Sequence, residues 1–418
     1  MADDSARPHA PSEIIDPAHY AAAGYPHDIF AALRERTPVA WCEAPGFDPF
    51  WAVTGHEELV WISKQPETFE NGPKSFVAPR DQFGEGEDLN DLAHELLQMD
   101  PPEHREYRSI TSGYFTPRSI EAMRPQVVRC VDEILDRVAQ LSGQPFDFVE
   151  HVAAVMPIVV IADMLGLPQA DRDRFFRWTN EIVAPDEPEF QREPGVSPFT
   201  AALSELMAYF AEMVTDRRRR PKSDITSVIA NATVQGGPVP DFELLSYLAL
   251  LIVAGNETTR NAISGGLIAM IDNPGEWARL QADPALVKPA CEEIVRFTSP
   301  LIQFARTPNR DVEVHGQTIL AGETMAVFYP AANRDPKVFD APDQFRIDRQ
   351  PNRHVGFGIG EHVCLGAHLA RMELHELFSA LARRMKSAEL AGPVERSASS
   401  FIGGVKHLPV RMELEPER

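Results

Sequence analysis

The spacing of apolar and polar positions predicts a mostly helical chain. Apolar residues recur at three- and four-residue intervals over Pro26–Arg36, His56–Lys64, Pro117–Leu141, Phe148–Leu165, Asp171–Val183, Phe199–Arg219, Asp224–Ala232 and Pro284–Phe297. Two alternating stretches, Val39–Cys42 and Phe50–Thr54, predict a hairpin around Pro45-Gly46, and Val312–His315 and Thr324–Tyr329 read as further strands. A longer helix is predicted from Asp241, read as its N-cap, to about Asp272, where Asn273-Pro274 ends it. Its length is roughly 48 Å at 1.5 Å per residue, enough to cross a domain. The first half is apolar almost all round, which marks a helix inside the protein. Residues 72–98 are mixed and polar, and predict a long loop with one helical turn. The proline-rich stretch 184–198 breaks two helices, and residues 1–12 read as a loose arm.

Composition narrows the class. The 418 residues could hold more than one domain, but there is no internal repeat or low-complexity tract. A net charge of −22 without a basic stripe argues against nucleic acid as a partner. Cys42, Cys130, Cys291 and Cys364 have no paired spacing, so a reducing compartment is expected rather than a disulfide framework. The first residues lack a basic and then apolar signal pattern. Apolar runs such as Leu248–Gly255 are far too short to span a bilayer. The expectation is a soluble cytoplasmic protein with no membrane partner.

Chemistry concentrates at Cys364. It stands between a loop bearing Gly356, Gly358 and Gly360 and a helical pattern carrying Leu365, Leu369, Met372 and Leu377. A thiol at a helix N-terminus is expected to have a lowered pKa and to be ready for a soft metal. Gly366 would let another group approach the first turn. A zinc site from His354, His362, Cys364 and His368 lacks a second cysteine or paired ligand spacing. Within the long helix, Gly255, Glu257, Thr258 and Thr259 form a polar patch that is costly to bury. Gly255 and Thr258 are expected to loosen the helix ladder there. His104 and Arg108 share one helix face, as do Glu293 and Arg296. Taken singly, each feature also has a plain reading: a buried cysteine, a kink, or a solvated helix face.

Together they resemble one family. Phe357-Gly358-x-Gly360-x-His362-x-Cys364-x-Gly366 resembles the haem-binding loop of the cytochrome P450 superfamily at every anchor position. The resemblance implies a mainly α fold: one large helical domain, residues 13–418, with small β-sheets and haem b between two long helices. It implies that Cys364 is the axial ligand of the haem iron, with Phe357, Gly358, His362 and Gly366 around it. It places His104, Arg108 and Arg306 on the haem propionates. Ala254-Gly255-Asn256-Glu257-Thr258-Thr259 is similar to the family's oxygen-activation motif, with Ala254 and Gly255 against the haem and Glu257 and Thr258 as the catalytic acid–alcohol pair. Glu293, Arg296 and Arg349 would form the family's structural cluster, and residues 184–198 its lid.

The implied reaction inserts one oxygen atom of O2 into a small hydrophobic substrate. Electrons would come from an iron–sulfur ferredoxin and its NAD(P)H-dependent reductase, because no nicotinamide or flavin fingerprint is present. Arg105, Arg353 and Arg371 are the expected docking cations. Leu250, Leu301, Ile302, Phe304, Phe401 and Ile402 would line the substrate pocket. Their apolar character predicts a neutral substrate, a terpenoid or alkyl-aromatic first and a steroid second. Phe47-Asp48-Pro49-x-Trp51, Lys64-Gln65-Pro66 and Gly403-Gly404-x-Lys406-x-x-Pro409 look most like the bacterial terpineol-hydroxylase branch. A peroxide-driven peroxygenase or a non-enzymatic haem-thiolate sensor would have less use for Glu257 and Thr258.

Overall fold

The long helix runs through the middle of the protein. In the computed structural model, which describes residues 7–83, 89–185 and 187–415, it extends without interruption over Asp241–Asp272. Pro240 precedes it in an extended conformation, so Asp241 is its first residue rather than its cap, and Arg218 pairs with the Asp241 carboxylate at 2.8 Å. The expected loosening at Gly255 and Thr258 is absent. Gly255 instead allows close packing, since a Cβ there would stand 3.3 Å from Ile161.

Helices pack against the long one according to their apolar faces. Val155–Leu165, Arg172–Val183 and Pro198–Arg219 cover its first half, building one core with Phe175, Trp178 and Phe210. Val287–Thr298 and Ala367–Arg384 pack on its second half, around Ile263, Leu267, Ile294 and Phe378. The long helix and the cysteine-proximal helix Ala367–Arg384 therefore flank a common space.

A six-stranded sheet stands to one side, in the order His9–Ala10, Val39–Cys42, Phe50–Val53, Met325–Phe328, Gln303–Pro308, Phe69–Glu70. The hairpin expected between the second and third strands forms, with Trp41 opposite Trp51. Residues 7–12 are not loose. His9 and Ala10 pair in parallel with Trp41 and Cys42, and the Arg7 guanidinium lies 4.4 Å from the Trp41 ring centre. A lone two-residue strand has no sequence signature of its own, which is why the arm read as free. The one turn of helix expected in the long loop is Leu89–Leu92. Residues 84–88 of that loop lie outside the described residues, as does Asp186 of the proline-rich stretch.

Several elements escaped the pattern, a helix and a strand among them. The helix Pro274–Ala282 was hidden because it follows the long helix after one residue. The strand Pro409–Leu414 buries Val410, Met412 and Leu414 on alternate positions and pairs with Met385–Leu390. Among the described residues, no helix is long and apolar enough to cross a membrane.

Candidate active site

The glycines of the cysteine loop are fixed by turn geometry and by close backbone approach. Gly358 and Gly360 hold φ of +68° and +82°, a region that favours glycine. At Gly360 a side chain is also excluded by space, because a Cβ would lie 2.1 Å from the Ser63 carbonyl. The resulting turn lets the Cys364 N–H donate to the Phe357 carbonyl at 2.8 Å. The Cys364 sulfur faces a cavity holding about 1980 Å³ of empty space, part of it open to solvent. A Cβ on Gly366 would meet nothing within 4 Å, so this side of the helix start is open.

The thiol does not have the lowered pKa expected from its helix position. Burial pushes it up, and the Gly366 N–H, Arg108 and Arg371 pull it only part of the way back. A bound cation would settle the matter, since a coordinating thiol loses its proton outright.

Behind the loop lies a buried ionic cluster. Arg296 donates to both Glu293 oxygens at 2.7 Å, and Arg349 Nε lies 3.0 Å from Glu293 Oε2. Spare guanidinium protons go to backbone carbonyls of Asn333, Pro342 and Asp340. Asn333 passes the order onward by accepting the Val355 N–H at 2.8 Å. Next door, Glu292 binds Arg371 at 2.7 and 2.9 Å and His354 at 3.0 Å, and Arg371 lies over the Phe357 ring. Burial opposes the Glu292 charge, but hydrogen bonds from His354 and Arg371 outweigh it and hold the carboxyl down at about 2. The sequence reading passed over Glu292 because its neighbour Glu293 carried the recognisable spacing.

Cations gather on the other side of the loop. The ring centres of buried His104 and of His362 are 4.1 Å apart, and His362 Nε2 is buried without a partner. Arg108 donates to the Val363 carbonyl at 2.7 Å, and buried Arg306 donates to Ala305 O. Among the described residues, no carboxylate lies within ion-pair distance of Arg108 or Arg306. Burial lowers the His362 pKa to about 2, helped by the positive charges of Arg306, His104 and Arg108. Such a cluster calls for an anion. The histidines suggested for zinc are spent elsewhere: His354 on Glu292 and His362 against His104. Among the described residues, no three His, Cys, Asp or Glu side chains gather for a metal.

Across the cavity the long helix presents Ala254, Gly255 and Thr258. The Thr258 hydroxyl donates to the Ala254 carbonyl at 2.9 Å. Glu257 does not reach the cavity. It turns to the opposite face of the helix and pairs with Arg260, which donates to Asn180 at 2.7 Å. Burial raises the Glu257 pKa, offset in part by Arg260. Asn256 Oδ1, Arg260 Nε and Asn261 Oδ1 lack hydrogen-bond partners in this small polar island, while Asn256 Nδ2 donates to Glu257 Oε1 at 3.1 Å. A second buried carboxyl, Glu373, does line the cavity beside Thr259, and burial pushes its pKa up to about 8. Of the expected pocket residues, Leu250, Leu301, Phe304, Phe401 and Ile402 line the cavity. Ile302 does not: it faces the other side of its chain segment, in the cluster of Phe30 and Phe328.

The profile of the cytochrome P450 family matches residues 25–392. The chain belongs to that family. It is similar to cytochrome P450-terp of a Pseudomonas species, with 34% identity over 96% of this chain and 97% of that one. It is 36% identical to a steroid C26-monooxygenase of Mycolicibacterium smegmatis, over 92% of this chain and 90% of the relative. Among solved structures, cytochrome P450 CYP268A2 of Mycobacterium marinum, in complex with pseudoionone, superposes with a TM-score of 0.89 at 33% identity, covering 97% and 99% of the two chains. This P450 is therefore a monooxygenase, its cofactor is haem b, and it works with O2, a redox partner and a hydrophobic substrate. The residues present fit haem: an apolar slot between two helices, a thiol on one side, and at its rim Arg108, which has no carboxylate partner among the described residues, beside the unpartnered His362 Nε2.

Proposed function

We propose that this P450 hydroxylates a neutral, mid-sized hydrophobe, a terpenoid or alkyl-aromatic compound, with electrons from a ferredoxin and its reductase. The apolar cavity between Cys364 and Thr258 carries this reading. Cys364 would hold the iron, and His104, Arg108 and Arg306 the propionates. Bound haem supplies the activation of dioxygen, with thiolate ligation favouring O–O cleavage. The chain's own work is placement, exclusion of water and proton supply. Leu250, Leu301, Phe304 and Phe401 hold the substrate by exclusion from water, worth roughly 25 cal/mol per Å² of apolar area. Thr258 Oγ1 is the hydroxyl placed to hand on a proton, and Glu257 sits one residue away on the solvent-remote face. That acid–alcohol pair favours the oxygenase over a peroxide-driven enzyme or a sensor.

The cytochrome P450-terp relative and the pseudoionone complex support a terpenoid, and the steroid C26-monooxygenase keeps a steroid as the second reading. Charge at the docking face is more local than expected. Arg105, though exposed, is bound at 2.8 and 3.0 Å to Glu361, and Arg371 to Glu292, so Arg353 is left as the exposed candidate of the three with no ion pair among the described residues. The test is titration of the ferric enzyme with terpenoid, alkyl-aromatic and steroid compounds, read as the spin shift when water leaves the iron. A shift with charged, hydrophilic compounds and none with the hydrophobes would reverse the reading.

A further inference from the structure

The cavity wall is mostly apolar, and apart from the groups around Cys364, Thr258 and Glu373 it carries a carboxyl at one turn. Glu95 projects onto it between Ala93, Leu96 and Leu97, in the loop that precedes the His104 helix. Among the described residues, its carboxyl has neither a hydrogen-bond nor an ion-pair partner, and burial alone pushes its pKa up to about 8. An isolated carboxyl in an apolar wall is expensive, and proteins keep such groups satisfied as a rule. Something absent from the chain itself should complete it.

The turn around Glu95 is built rigidly. Gln98, buried, accepts the Glu95 N–H at 2.9 Å and donates to Asn90 and to the Ala93 carbonyl. The neighbouring His94 N–H donates to Ser246 Oγ on the long helix at 3.1 Å. The backbone on both sides of the carboxyl is thus fixed before any ligand arrives, which reduces the entropy lost on binding. Ser246 precedes Thr258 by twelve residues on the same helix, about 18 Å of rise. The turn therefore belongs to the end of the cavity remote from Thr258.

We propose that Glu95 anchors the polar end of the substrate, and that this substrate is an alcohol-bearing hydrophobe rather than a bare hydrocarbon. The inference rests on the monooxygenase reading of the same cavity and narrows its substrate class. A protonated carboxyl both donates and accepts, which matches a hydroxyl on both counts. An apolar wall closes round the rest of the molecule, and the anchor sets which carbon comes near Thr258. The sequence reading missed this residue because a single glutamate in a polar loop has no pattern.

The test uses the haem-loaded enzyme and matched probes of monoterpene, linear and sterol scaffold: α-terpineol with p-menth-1-ene, 1-dodecanol with dodecane, cholesterol with cholest-5-ene. Dissociation constants come from the ferric spin shift. For the scaffold that binds, the parent should favour the alcohol by about tenfold or more. Glu95→Leu should bring that ratio close to one while leaving the hydrocarbon's affinity within about threefold. Glu95→Gln, which keeps a donor and an acceptor, should retain the preference. An unchanged ratio in Glu95→Leu, or a parent that favours the hydrocarbon, overturns the proposal. Haem content and the ferrous carbonyl band are read on every variant. A normal band with no response to any scaffold would overturn the anchor and the hydrophobic pocket but leave the haem-thiolate assignment standing; a missing band in the parent would strike the assignment itself.

Discussion

Two glutamate–arginine pairs in this molecule have the same spacing, the same helical setting and the same burial, yet opposite surroundings. Glu293 and Arg296 lie three apart on one helix, and Glu257 and Arg260 three apart on another. Around the first pair every requirement is met. Arg349, Asn352 and the Arg346 N–H complete Glu293, while the backbone carbonyls of Asn333, Pro342 and Gln344 complete Arg296. Around the second, Nε of the arginine and the side-chain oxygens of Asn256 and Asn261 stay without hydrogen-bond partners, and burial raises the glutamate's pKa. A fully satisfied buried pair fixes a geometry; a partly satisfied one keeps the capacity to change protonation or partner. The first stands behind the cysteine loop, and the second stands behind the Thr258 hydroxyl.

Removing one member of the satisfied pair should have the largest effect. Glu293→Ala leaves two buried guanidinium groups without their carboxylate, a change worth about 3–5 kcal/mol. Because Asn333 relays that cluster to Val355, the cysteine loop should fail with it. The expected outcome is a protein that unfolds at much lower temperature and retains little haem, read by thermal melting and by haem absorbance per chain. Full haem retention at the parent's melting temperature would show that the loop does not depend on the cluster.

The open pair should respond in the other currency, rate rather than stability. Thr258→Ala should keep haem and substrate binding but divert electrons from product to peroxide or water, because a positioned proton-handling group contributes about 10²–10⁴-fold. The measurement is product formed per electron consumed; unchanged coupling would remove Thr258 from the proton path. Glu257→Gln should lower turnover by about tenfold or more on the same grounds. Its unfolding midpoint should stay far closer to the parent's than that of Glu293→Gln. If the two glutamine variants lose equal stability, the contrast between the pairs is false.

The comparison also marks what could be read from sequence. Spacing alone gave the Glu293–Arg296 pair, the hairpin, the long helix and the cysteine loop, because each is a short-range pattern with a physical period, whereas Arg260 was not picked out as the partner of Glu257. The motif resemblance separated Glu293 from Glu257 where spacing could not. What stayed hidden depends on groups far apart in the chain. Glu292 meets Arg371 across 79 positions, His9–Ala10 needs Trp41 to become a strand, and Glu95 faces a cavity whose other walls come from the long helix and beyond. Ile302 was misplaced for a related reason: its neighbour Leu301 faces the cavity, and a one-residue step turned it to the other side. The thiol was misjudged because helix-end charge is a local argument, while burial is a property of the whole fold.

The smallest effect separates the carboxylates by pH. Glu292 is held down at about 2 in the folded state, against an ordinary value of 4.5. Its contribution to stability is therefore complete above 4.5 and is lost as pH falls from there toward 2. Glu257 is raised, so the folded state keeps a proton that the unfolded chain gives up, and stability declines as pH climbs above 4.5 toward the raised value. Glu292→Gln should flatten the acid limb of a plot of denaturation midpoint against pH and leave the neutral limb alone. Glu257→Gln should do the reverse. Each change is limited to one proton, so the slopes rather than the midpoints carry the information, and urea unfolding of the haem-loaded protein at several values between pH 3 and pH 8 would resolve them. Both variants flattening the same limb would mean that the two carboxyls share an environment, contrary to the contacts that surround them.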